Sequence, residues 1–164
     1  MNKSKEIYGE NYQEHLLEQY KLYVEMMDRI SARRVQTNSF YISLLSGLLA
    51  LLSLVGNKDI SNFRNTDFQY IAILVLAILG MILCFVWYIN IHSYKHLNSI
   101  KFKVINEMEE HMPFSCYDRE WKILKTNKKY QGYLTQTQIE KYIPVFLAIP
   151  YIGLFIYFLF SLIK

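Results

Sequence analysis

Three stretches of this chain contain no Asp, Glu, Lys or Arg: Val35 to Asn57, Phe68 to Tyr94, and Tyr142 to Ile163. They are 23, 27 and 22 residues long, and all 32 charges fall among the other 92 of 164 positions. An apolar stretch of roughly 18 residues or more can cross the hydrocarbon core of a bilayer as a helix. A single run of this kind can be buried inside a soluble protein. Three in so short a chain leave too little polar sequence to cover them. The pattern argues against a soluble globular enzyme. It also argues against a secreted, disulfide-built domain, because Cys84 lies inside the second run and Cys116 in the polar segment after it.

Sidedness follows from the basic residues near the spans. Residues 1–34 carry twelve charges and no apolar core of signal-peptide length, so the first apolar run is expected to act as its own uncleaved anchor. Those residues hold six Lys and Arg, the connection between the first two runs holds two, residues 95–141 hold nine, and Lys164 stands alone. The distribution predicts a cytoplasmic N-terminal amphipathic helix (1–34), transmembrane helix 1 (35–57), an outer loop (58–67) and transmembrane helix 2 (68–94). A cytoplasmic helical region (95–141) and transmembrane helix 3 (142–163) follow. If the third run does not fully span, the first two still form a hairpin with the same orientation. The localisation implied is a bacterial inner membrane, with lipid as the first partner.

Leu16, Tyr20, Tyr23, Met27 and Ile30 recur at spacings of four and three, a heptad seam of the kind used by helices packed along their length. No Gly or Pro separates this seam from the first span. The pattern predicts one helix from Glu10 to about Val55, roughly 68 Å long at 1.5 Å per residue. The alternative is a helix lying on the lipid surface, which ordinarily carries more Lys and Arg on its polar face. Gly56-Asn57-Lys58-Asp59 closes the first helix with turn chemistry. The second helix is expected to run past Trp87, Tyr88 and Tyr94, rings suited to the headgroup layer, and to stop at Pro113. A short helix follows over Tyr117–Lys125, then a basic linker from Lys125 to Gly132. Thr135 and Gln138 resemble a capping box opening the last helix. Pro144 sits near that helix's start, and Pro150 is expected to kink it.

Few residues suggest chemistry. There is no phosphate-cradling Gly-rich loop, paired-Cys motif or nucleophile elbow. His92 and His96 share a helix face, but metal sites take three or four ligands, so no metal and no cofactor is expected. Glu109, Glu110 and His111 read as a solvated helix end. The expectation is a protein that is not an enzyme. The first span says more. Ser39, Ser43, Ser46, Ala50 and Ser53 recur at four and three, with Gly47 beside them. Such a stripe is either a close-packing seam, because small side chains let backbones approach, or the wetted wall of a pore. Gly80 and Cys84 form a small-xxx-small pair of packing type. Arg33 and Arg34 abut the first span. They are either positive-inside anchors or, with one of them facing an assembly axis, a basic pore mouth that favours anions or a phosphate backbone. Direct nucleic-acid binding stays open.

The block from Tyr12 to Arg34, the stretch from His92 to Ile105, and Met112-Pro113-Phe114 with Tyr117-Asp118-Arg119-Glu120-Trp121 together resemble RipA-family octameric membrane proteins. The family is similar to the membrane accessory protein of type VI-B CRISPR systems. The resemblance implies a homo-octamer forming a pore that perturbs inner-membrane integrity or potential in antiviral defence. It also implies a functional partnership with an RNA-guided RNA nuclease. That family has been linked to a degenerate ribonuclease motif in which His follows Arg by four to six residues. No Arg here precedes a His at that spacing, which weakens a membrane-bound ribonuclease reading. The fold class expected is an all-α integral membrane protein of two to three transmembrane helices. Its long N-terminal helix is continuous with the first span, and a helical cytoplasmic collar completes a ring-shaped homo-oligomer. The functional readings are an oligomeric membrane pore and, against it, a non-conducting membrane scaffold or anchor for a partner protein. In either, Leu16, Tyr20, Tyr23, Met27 and Ile30 are the expected oligomer seam.

Overall fold

The computed structural model describes residues 8–56, 66–126 and 136–163. The outer-loop residues Lys58 and Arg64, the turn after Gly56, most of the basic linker and the Thr135 cap lie outside them. The described residues are helical throughout their ordered elements, with no strand among them. Helix α1 is Tyr12–Gly56, α2 is Thr66–Glu109, α3 is Cys116–Thr126, α4 is Gln136–Glu140 and α5 is Tyr142–Ile163. Three segments are long and apolar enough to cross a membrane: α1, α2 from Phe68, and Gln136–Phe160.

The ends of these helices have local causes. Gly9 has φ +96°, a left-handed conformation that glycine adopts without strain. The turn it makes, with Tyr12 N–H donating to the Gly9 carbonyl at 3.3 Å, puts the start of α1 at Tyr12 rather than Glu10. Helix α2 ends at Glu109, three residues short of Met112. The residue before a proline avoids the α region. The chain ahead of Pro113 accordingly tightens, with His111 N–H bonded to Met108 O and Met112 N–H to Glu109 O. Pro144 has no N–H to offer the Glu140 carbonyl, which accounts for the break at Lys141 between α4 and α5. Helix α5 continues through Pro150.

The chain forms two compact units. One comprises Met1–Arg33 and Lys95–Tyr133, the other Arg34–Tyr94 and Leu134–Lys164. In the first, α1 and α2 run antiparallel. The Tyr20 hydroxyl donates to Glu109 at 3.0 Å, and the Lys101 ammonium lies 4.6 Å from the Tyr23 ring centre. Met27 and Ile105 are buried between them. In the second unit, α1, α2 and α5 enclose a core of Leu45, Leu48, Leu52, Ile73, Cys84, Trp87, Ile91, Tyr151 and Phe158. Trp87 is fully buried. It stacks on Tyr41 at 5.6 Å and donates its indole N–H to Asn38 at 2.9 Å. It is therefore a core residue, and of the expected aromatic belt Tyr88 is the ring left facing outward. Gly80 packs directly under Tyr151: a Cβ on Gly80 would lie 2.3 Å from that ring. The Tyr151 hydroxyl donates to the Leu45 carbonyl at 2.7 Å, tying the third span to the first.

Candidate functional site

Within the membrane-spanning unit, α1 turns Asn38, Tyr41, Leu45, Leu48 and Leu52 toward α2 and α5. These recur at three and four, so they form one helix face. Ser39, Ser43, Ser46, Ala50 and Ser53 are all exposed, as is Gly47. With 3.6 residues per turn the two rows lie about 140° apart. Ser39, Ser43, Ser46 and Ala50 thus face away from the chain's own core, while Ser53 borders an open cavity with Gln69, Tyr70 and Tyr157.

The other two spans provide the contrast. The exposed positions of α2 between Phe68 and Ile89 are Ile, Val, Leu, Phe and Tyr, and those of α5 are of the same kind with one Pro and one Gly. Large apolar side chains suit lipid tails. Between Phe68 and Ile89 of α2, and among the described exposed positions of α5, no serine is presented outward; the exposed serine of the second run is Ser93, near its end. A serine gains nothing from hydrocarbon, whereas it tolerates water or a closely approaching helix.

Arg33 and Arg34 part company. Arg33 is exposed. Arg34 is 5% exposed and lies in the second unit, where its Nε donates to Glu140 Oε2 at 2.7 Å and its Nη2 to both that oxygen and Thr137 Oγ1. Gln136 Nε2 donates to the other Glu140 oxygen at 2.7 Å. The guanidinium and carboxylate form a charge-assisted, multiply bonded pair. Arg34 is therefore turned into the protomer and engaged by Glu140 and Thr137, whereas Arg33 is exposed. Glu140 had no special reading in the sequence. Its signal was an isolated acid immediately before an apolar run.

The seam residues Leu16, Tyr20, Tyr23, Met27 and Ile30 are all partly or wholly buried within the protomer. Tyr20 and Tyr23 of this row meet Glu109 and Lys101 of the chain's own α2. Glu109, read as a solvated helix end, is 1% exposed. Its carboxylate accepts the Tyr20 hydroxyl and the backbone N–H of Tyr117 at 3.1 Å, and so caps the start of α3. Burial, together with the Glu109 carboxylate at its hydroxyl, pushes the Tyr20 phenol well above its ordinary value. Burial, with the negative charge of Asp28 nearby, raises Tyr117 as well. Glu110 and His111 are exposed. His92 stacks against Tyr88, and no group of three or more His, Cys, Asp or Glu with metal-site geometry occurs among the described residues.

Neither a curated protein nor a solved structure gives a match. A family model does, over residues 17–160, a span that takes in the first two apolar runs, nearly all of the third and most of both compact units. The chain belongs to the octameric membrane protein family.

Proposed function

We propose that the protein is an oligomeric membrane pore that perturbs inner-membrane integrity or potential. It would act as an accessory effector in CRISPR-linked antiviral defence beside an RNA-guided RNA nuclease. Its N-terminus lies in the cytoplasm, and it works without catalytic chemistry of its own. The defence role rests on the sequence resemblance. The pore reading rests on one structural observation: α1 presents its serines outward while α2 and α5 present lipid-compatible side chains. In an octamer, one outward face per protomer turned to the axis surrounds that axis with hydroxyls that water can solvate. The rival reading is a non-conducting scaffold in which the same stripe is a packing seam between copies.

Ser43→Leu and Ser46→Leu, made together, separate the two. In cells the parent should dissipate membrane potential, read with a potential-sensitive dye during phage infection, and in liposomes it should release a small entrapped ion. A wetted wall predicts loss of both activities with the oligomer's mass in detergent unchanged. A packing seam predicts smaller assemblies, because the added side chains keep backbones apart. A variant that assembles and conducts like the parent would show that the stripe does not line the pore, and a parent that neither dissipates potential nor releases the ion would refute the pore reading.

A further inference from the structure

The heptad seam of α1 has a neighbour. Tyr12, His15, Gln19, Leu22 and Met26 recur at three and four, and the last four each precede a seam residue by one position. One residue is about 100° of helix rotation, so beside the seam α1 carries a second row, polar at His15 and Gln19 and apolar at Leu22 and Met26. The seam packs on α2 in part, with Tyr20 and Met27 turned inward and Leu16 and Tyr23 at the edge of the groove. The second forms one wall of an open groove of about 530 Å³, whose other wall includes Val104 and Met108 of α2. Leu22 is 60% exposed and Met26 48%. These residues lie in the charge-bearing unit, where lipid is not there to cover them. Two helices with heptad-spaced walls form the usual receptor for a third helix.

We propose that this groove receives helix α3 of a neighbouring copy. The family is octameric, so each chain meets others of its own kind. A closed ring of identical chains uses heterologous contacts, in which the groove of one protomer meets a different face of the next. Helix α3 supplies that face. It has no buried residue, and Trp121 stands about half exposed on it, with Lys125 one turn on over its ring. A half-exposed Trp is the type of side chain that anchors such contacts. Among the described lining residues Glu107 is the one fixed charge, and on α3, where Lys122 is paired with Asp118, Lys125 holds a positive charge over the Trp121 ring.

Two measurements on the full chain test this, and neither involves conduction, so they can fail independently of the pore reading. The first is disulfide cross-linking in a Cys116→Ser background. Chains carrying Met26→Cys are co-expressed with chains carrying Trp121→Cys and oxidised in mild detergent. Cross-linked dimers that need both substitutions are expected; Met26→Cys and Trp121→Cys on one chain should extend the product to a ladder. The second is Leu22→Glu with Met26→Glu. Both side chains are already about half exposed or more, so helix content by circular dichroism should hold while the assembly falls below octamer mass. If helix content drops, Leu22→Gln with Met26→Gln replaces the pair with the same expectation. An octamer that survives these substitutions, or the absence of the mixed cross-link in an intact octamer, overturns the proposal.

Discussion

Arg34 and Glu140 lie 106 positions apart in sequence and are both nearly excluded from solvent where they meet. Removing one partner strands the other's charge in the interior, which ordinarily costs about 3–5 kcal/mol, whereas replacing both by apolar residues is often neutral. Arg34→Gln or Glu140→Gln alone should therefore lower the detergent melting temperature markedly. Arg34→Met with Glu140→Leu should recover most of the loss. Tyr20 and Tyr117 make a pH-dependent contribution. Both phenols hold their protons more tightly in the folded chain than in the unfolded one. Their contribution is intact below the ordinary tyrosine value of about 10 and is lost as pH rises past it. Alkaline melting curves should fall above that value. Tyr20→Phe should flatten the fall while costing about 0.5–1.5 kcal/mol at neutral pH for the lost hydrogen bond to Glu109.

At the scale of the element, the contact of α5 with α2 is the most sensitive. Tyr151 lies over Gly80, and the shared row Ala77, Gly80, Cys84 and Trp87 is buried. Gly80→Ala has to displace a fully buried ring, and overpacking of that kind costs about 1–3 kcal/mol. A lower melting temperature is expected, with Tyr151→Phe in the same background failing to relieve it because the ring remains. The extents of the helices were legible because charge-free runs and proline positions act locally. The buried face of α1's first half was legible too, since Leu16 to Ile30 keep a strict period. What covers that face was not, because a period is the same whether the partner is another segment of the chain or another copy. Trp87 was misread for a related reason. A Trp near a span's end suits headgroups, and only the partner Asn38, 49 positions away, draws it inward. Glu109 and Glu140 were missed because a buried carboxylate is recognised by its donors, which here come from distant residues.

For the whole molecule, the orientation in the membrane is the property on which every other reading depends. Fifteen of the eighteen basic residues lie in 1–34 and 95–141, which the positive-inside rule places in the cytoplasm. In spheroplasts, a cysteine at Ser61 should react with an impermeant maleimide and one at Asn127 should not. Labelling of Asn127 from outside would reverse the topology and move the groove and α3 to the outer face. The pairing of Arg34 with Glu140 also bears on how such an assembly is controlled. Carrying one elementary charge through the membrane field is worth about 2.3 kcal/mol per 100 mV. The three apolar runs carry no charge, and the buried guanidinium at the edge of the first is cancelled by a carboxylate bonded to it. A pair that moves together performs no net electrical work. Within the three runs no side-chain charge is left for the membrane field to act on.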